Sequence, residues 1–222
     1  MKKIIYSLLL AATLTTCNSE PRATTPPEPE TNQSAPEEKP KNLQAIDSDE
    51  ALIATALLAA PEASRANAKV IGYNMAGEFV TLKEGTNEFF CLADDPKDEK
   101  FSAACYHKSL EPFMARGREL KAEGKSFKEI FNTREKEVKA GTLSMGETGA
   151  ALHIYHGPGA MYDPDAGVVD GAKYRYVVYM PFATAESTGL PESPVAPNHP
   201  WIMNPGTHRA HIMISSINEG AK

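Results

Sequence analysis

The chain has 222 residues, of which 41% are hydrophobic and 23% are charged, and its formal net charge is −6 at pH 7. An acidic chain without a basic stripe argues against a nucleic acid as its partner. Residues 44–222 are enough for one globular domain with a substantial core.

The first residues have the layout of an export signal. Two lysines precede an apolar run over residues 4–14, which is shorter than the about 20 residues that span a bilayer. The run closes on the sequence Leu-Thr-Thr followed by Cys17. This layout resembles a bacterial lipoprotein signal peptide, which implies that residues 1–16 are removed and that Cys17 carries the lipid. The alternative is an ordinary secretory signal, cleaved near Thr15 or Thr16, that leaves a soluble protein without a lipid.

Residues 17–43 form the predicted connection between the lipid and the domain. Residues 18–43 contain six prolines and no aromatic side chain. Such a segment cannot bury enough apolar area to offset the entropy of ordering, so we expect a disordered tether. We therefore expect an exported protein, held by the lipid on Cys17 in the bacterial envelope, at the outer membrane.

The first part of the domain predicts one helix and three strands. Residues 47–50 offer an N-cap and early acidic side chains for a helix over residues 51–60, and residues 69–73 form a short strand candidate. Residues 78–82 and 87–92 alternate like strands and flank a segment that contains Gly85. That arrangement predicts a β-hairpin with the glycine in its turn.

Cys91 and Cys105 are the two cysteines that remain after Cys17. Because an exported protein meets an oxidising compartment, we expect them to form a disulfide. A loop of this length contributes about 3 kcal/mol in the chain-entropy model. The alternative is one buried and one free thiol.

Two amphipathic helices follow. Apolar side chains between Leu110 and Leu120 lie on one helical face, and a second stripe runs from Phe127 to Val138. The second helix begins with a capping box, Ser126 with Glu129, and Gly141 follows its end.

The last third of the chain predicts strands over residues 152–156, 174–180 and 208–215. Residues 181–206 are rich in proline and predict a long ordered loop that wraps the sheet and is pinned by Trp201. The fold class is therefore α+β, a single domain with a mostly antiparallel sheet, two or three amphipathic helices and a long proline-rich C-terminal loop.

Two groups of residues resemble a pattern seen in uncharacterised secreted bacterial proteins. The resemblance covers much of residues 60–214 and rests on Gly77-Glu78-Phe79, Leu82, Gly85, Asn87, Phe89, Cys91-Leu92, Asp94, Cys105, Pro200-Trp201-Ile202-Met203, Gly206-Thr207 and Ala210-His211-Ile212-Met213. This chain departs from the pattern in its charged helix over residues 117–140 and in His156. The resemblance implies no activity and no catalytic residue.

The histidines are the one group of residues in the sequence that could form a metal or catalytic site. His153 and His156 form one His-x-x-His pair, and His208 and His211 form another. On strands an odd offset sends the two rings to opposite faces, so neither pair should bind a metal alone. One histidine of each pair, with Asp163 or the nearby Asp165, could still make a zinc site across strands. The alternative, which we favour, is that one histidine of each pair is buried and hydrogen-bonded and the other is solvated.

Two classes of function remain open. The first, which we prefer, is a non-catalytic envelope lipoprotein whose exposed sheet or long loop binds a protein or a small molecule. Trp201 and Tyr176 are the candidates for its ligand groove, although the tyrosines near Tyr176 equally suit sheet packing. The second is a metal-dependent hydrolase or similar enzyme that uses zinc on the C-terminal histidines.

Overall fold

The computed structural model describes residues 41–215. The predicted signal peptide, Cys17 and the tether up to residue 40 lie outside the described residues. Within this part, helices α1 to α4 cover Asp49–Leu58, Glu111–Ala122, Phe127–Lys139 and Ala185–Thr188, and 3-10 turns cover Glu62–Asn67 and Lys108–Leu110. Strands β1 to β11 cover Gln44–Ala45, Lys69–Tyr73, Phe79–Lys83, Phe89–Leu92, Ser102–His107, Ala151–His156, Met161–Asp163, Val168–Val169, Lys173–Tyr179, Trp201–Met203 and His211–Ser215.

Eight of these strands form one large sheet in the order β10-β11-β9-β6-β5-β4-β2-β3, and β1, β7 and β8 form a small second sheet. Every neighbouring pair in the large sheet is antiparallel except β2 and β4. Helices that pack on a mostly antiparallel sheet make an α+β domain, so the predicted fold class is confirmed.

Helices pack on both faces of the large sheet, which we call the α1 face and the α2 face. On the α1 face, Leu52 of α1 packs in one buried cluster with Cys105 and Tyr155. On the α2 face, Phe113 of α2 packs in a second cluster with Tyr106. Cys105 and Tyr106 point to opposite faces because side chains alternate along a strand. Full burial of a side chain such as Leu52 or Phe113 contributes about 1.5–3 kcal/mol.

Local signals place the helices as predicted. Ser48 caps α1 by accepting a hydrogen bond from the Ala51 amide, so this helix begins and ends two residues earlier than expected. The predicted capping box at the start of α3 is present, with Ser126 and Glu129 each bonding the other's backbone. Gly141 follows the end of α3 with a φ of 72°, a left-handed conformation that favours glycine.

The predicted hairpin between residues 78–82 and 87–92 is wrong. These segments become β3 and β4, but β2 lies between them in the sheet. The connection crosses over residues 67–69, where the amides of Thr86 and Asn87 both donate to the Asn67 carbonyl. A Cβ on Gly85 would lie 2.2 Å from the Lys69 nitrogen. Gly85 therefore permits a close backbone crossing instead of a hairpin turn.

The C-terminal strands agree with the sequence except at His208. Strands β6 and β9 begin one residue before the predicted positions, and β11 begins only at His211. Residues 207–210 instead form a turn, in which Thr207 accepts the amide protons of Arg209 and Ala210. The prediction that His208 lies in a strand is therefore wrong.

The predicted proline-rich loop contains two regular elements. The first, helix α4, is one turn long. The second is the edge strand β10, which begins at Trp201, and Trp201 lies opposite Met213 of β11. Trp201 therefore anchors this segment as part of the sheet.

Cys91 and Cys105 are directly opposite each other in the β4–β5 ladder. Their Cα atoms are 4.0 Å apart and their sulfur atoms lie at disulfide distance. Both residues are fully buried on the α1 face.

Contacts with the domain begin before β1. The Lys41 ammonium group pairs with Asp170 at 2.7 Å, and the Asn42 amide donates to Asp163. Strand β1 then pairs with β7. Over residues 41–215, no helix combines the length and apolar character that a membrane span requires.

Candidate functional site

A groove of about 650 Å³ lies between α2 and the α2 face of the sheet, at the end formed by β2 to β5. This volume falls within the about 300–1,000 Å³ that is typical of small-molecule sites. Its apolar lining comes from Tyr73, Phe79, Leu92, Ala93, Ala115 and Ala122. Its charged lining comes from Asp95, Asp98, Arg118, Glu119 and Lys121.

Two aromatic rings form one wall of the groove. Tyr73 of β2 and Phe79 of β3 are cross-strand partners, with ring centroids 5.3 Å apart and planes at 82°. The turn between them is fixed by hydrogen bonds that link Asn74 and Glu78 in both directions. Tyr73 and Phe79 nevertheless remain 39% and 42% exposed. We call this pair the aromatic corner.

Helix α2 forms the opposite wall and presents Arg118. The Arg118 guanidinium lies 5.3 Å from the centre of the Phe79 ring, which is a cation–π distance. Arg118 donates hydrogen bonds to the Glu111 carboxylate and to the Tyr106 hydroxyl. Tyr106 in turn donates to Glu111. Burial, with help from the Glu111 carboxylate, raises the pKa of Tyr106, so its hydroxyl keeps its proton.

One end of the groove is acidic. Asp94 is 3% exposed, and its carboxylate accepts the Ser102 amide proton at 2.8 Å. Burial, together with the negative charges of Asp98 and Asp95, raises the pKa of Asp94 to about 6, against hydrogen bonds that lower it. Asp95 and Asp98 line the groove directly, and neither has an ion-pair partner among residues 41–215. We call Asp94, Asp95 and Asp98 the acidic end.

The first histidine pair is split across the sheet, as predicted. His153 lies on the α1 face with Tyr155, between the rings of Phe89 and Tyr176 at 6.1 and 5.5 Å. His156 lies on the other face, at the end of β6. Burial lowers the pKa of His153, so this ring is a neutral aromatic neighbour near neutral pH.

The second pair is separated by the turn at residues 207–210. His208 is fully buried between the rings of Phe113 and Phe131, with centroid distances of 5.8 and 4.7 Å. Neither of its ring nitrogens has a hydrogen-bond partner within the described part of the chain. His211 shares the α2 face with Met213, and its Nδ1 lies 2.7 Å from the Arg209 carbonyl.

Asp163 has a structural role in the small sheet. Its carboxylate accepts the amide protons of Asn42, Asp165 and Ala166. The hydrogen bonds from Ala166 and Asn42 are the main reason that the pKa of Asp163 is lowered. Over residues 41–215, no three His, Cys, Asp or Glu side chains are placed together to hold a metal ion.

The two predicted ligand-groove residues lie apart from the groove. Trp201 borders a depression of about 400 Å³ that is lined mainly by residues 194–199. Tyr176 lies on the α1 face, in a row with Tyr174 and His153. The sequence did not indicate Tyr73, Phe79 or Arg118 as ligand-binding residues. The signal that could have found the aromatic corner is the pair of aromatic residues on either side of the Asn74–Gly77 turn.

Comparison of the chain with protein families, curated proteins and solved structures finds no match.

Proposed function

We propose that this protein is a lipid-anchored envelope protein whose domain binds a small amphipathic molecule in the groove, without catalysis. The observation that carries the proposal is the aromatic corner. Tyr73 and Phe79 keep about two fifths of their surface exposed beside a concave space. Apolar surface held open at a concave site is typical of a ligand site.

The charged residues around the aromatic corner would orient such a ligand. Arg118 is held in place by Glu111 and Tyr106, so it presents a fixed charge beside the Phe79 ring. Groups that are fixed before binding lose little conformational entropy when a ligand arrives. The apolar part of the ligand would pack on Phe79 and Leu92, and its polar part would meet the charged rim.

The alternative of a zinc-dependent hydrolase has no specific observation in its favour. His153 and His156 face opposite sides of the sheet, His208 is enclosed by phenylalanine rings, and His211 bonds a backbone carbonyl. Binding in the groove is the function that the geometry of residues 41–215 supports best.

The anchor is proposed from the sequence, on the lipoprotein-like signal that ends at Cys17. The buried Cys91–Cys105 pair supports export, because disulfides persist in oxidising compartments. Full-length protein should partition with the membrane fraction and incorporate labelled fatty acid, and Cys17→Ala should abolish both. A wild-type protein that is wholly soluble, with a free mature N-terminus, would show that the anchor does not exist.

The groove can be tested with an uncharged fluorescent dye such as Nile red. Dye fluorescence should rise on binding to the domain, and Phe79→Ala should weaken the affinity about tenfold or more, since a phenyl contact is lost. Tyr176→Ala is the matched control, because it removes an exposed aromatic ring from the α1 face. If Tyr176→Ala weakens dye binding and Phe79→Ala does not, the site lies on the other face and the groove proposal is wrong.

A further inference from the structure

We infer that the groove selects a small organic cation, an ammonium group attached to an apolar body, and this inference rests on the binding function proposed above. Three observations indicate that the ligand is positively charged. They are the arrangement of the aromatic corner, the pairing of charges along the groove and the buried carboxylate of Asp94 next to it.

The aromatic corner is suited to a cation. The face of an aromatic ring carries partial negative charge and attracts ammonium and guanidinium groups within about 6 Å. Arg118 already occupies such a position, 5.3 Å from the centre of the Phe79 ring. The Tyr73 ring stands at 82° to it and remains partly exposed. The exposed part of the Tyr73 ring is therefore a second aromatic surface on which an ammonium group can pack.

Some of the charged residues that line the groove form ion pairs and others do not. Arg118 is neutralised by Glu111, and Glu119 is paired with Arg116 at 3.2 Å. Asp95 and Asp98 have no ion-pair partner among residues 41–215, and Lys121 is the lining cation without one there. Two unpaired carboxylates against one lysine leave the groove with an excess of negative charge.

Asp94 adds negative charge next to the groove, because its hydrogen-bond partner Ser102 and its neighbour Asp95 both line it. Its side chain is almost fully buried and its carboxylate is fixed by the Ser102 amide. The ammonium group of Lys97 lies near Gly77, in the turn that joins Tyr73 to Phe79, and Lys97 does not line the groove. A ligand cation between the aromatic corner and the acidic end would face Asp95 and Asp98 on one side and ring faces on the other. An anionic ligand would meet repulsion there.

The selectivity can be measured with two probes of the same size and opposite charge, phenyltrimethylammonium and benzenesulfonate. Titration of the whole domain by calorimetry should give tighter binding of the ammonium probe. The double variant Asp95→Asn/Asp98→Asn should weaken that binding about tenfold and weaken the binding of the uncharged dye much less. Glu99→Gln is the matched control, because Glu99 belongs to the same connection, carries the same charge and does not line the groove.

The outcomes separate the two proposals. Equal or tighter binding of benzenesulfonate, or an ammonium affinity that the double variant leaves unchanged, overturns the inference while the groove remains a binding site. If neither probe nor the uncharged dye responds to Phe79→Ala, the binding function itself is wrong. An ammonium affinity that falls in the double variant and is unchanged by Glu99→Gln supports the inference.

Discussion

His208 should make the stability of the domain depend on pH. Its ring is fully buried, and both of its nitrogens are without hydrogen-bond partners within residues 41–215. Burial lowers the pKa of His208 from 6.5 to about 4, and the positive charge of Arg134 acts in the same direction while Glu135 opposes it. Protonating this ring therefore places a positive charge between Phe113 and Phe131, away from water, which disfavours the folded state.

The direction of this pH dependence follows from the protonation of His208 in the folded and in the unfolded state. Because the pKa is lower in the folded state, the unfolded chain binds the proton more tightly, so the free energy of unfolding falls as the pH falls through this range. Above about pH 6.5, His208 does not lower the free energy of unfolding. Its protonation lowers that free energy by roughly 2 kcal/mol at about pH 5 and by about 3 kcal/mol below pH 4.

The assay compares wild type with His208→Leu, a side chain of similar size that does not titrate. Urea unfolding at about pH 7 and pH 5 gives the free energy of unfolding of each protein, and the difference between the two pH slopes isolates His208. Asp94 has a raised pKa, so its protonation raises the free energy of unfolding as the pH falls. This effect is the same in both proteins and cancels in the comparison. If the stability of His208→Leu falls with pH as steeply as that of wild type, the reasoning about His208 is refuted.

Three further predictions concern the fold. Gly85→Ala should lower the free energy of unfolding by more than about 2 kcal/mol, because its Cβ would meet the backbone at 2.2 Å, whereas Gly159→Ala, with open space around it, should change it by less than about 0.5 kcal/mol in the same urea titration. Replacing Cys91 and Cys105 together by Ala should cost about 3 kcal/mol, and thiol labelling of the native wild type should find no reactive thiol; quantitative labelling of both would show that they are not bonded. Ser126→Ala should cost about 1 kcal/mol through the lost cap of α3, and an unchanged unfolding midpoint would mean that α3 frays independently.

Local signals in the sequence determined most of the elements of this domain. Strand β2 has the predicted bounds, and α3 begins with the predicted capping box, because alternation and capping depend on residues within a few positions of each other. The split of His153 and His156 across the sheet follows from the same alternation. The sequence by itself therefore determined the fold class and the arrangement of one histidine pair.

The pairing of strands and the site depended on the tertiary structure. Alternation in β3 and β4 is the same whether they pair with each other or with β2, and only the packing of Gly85 against residues 67–69 excludes the hairpin. The groove joins Tyr73 and Phe79 to Arg118, which lies on a helix about forty residues further along the chain. No local sequence pattern predicts this contact, because it results from the packing of α2 across the sheet.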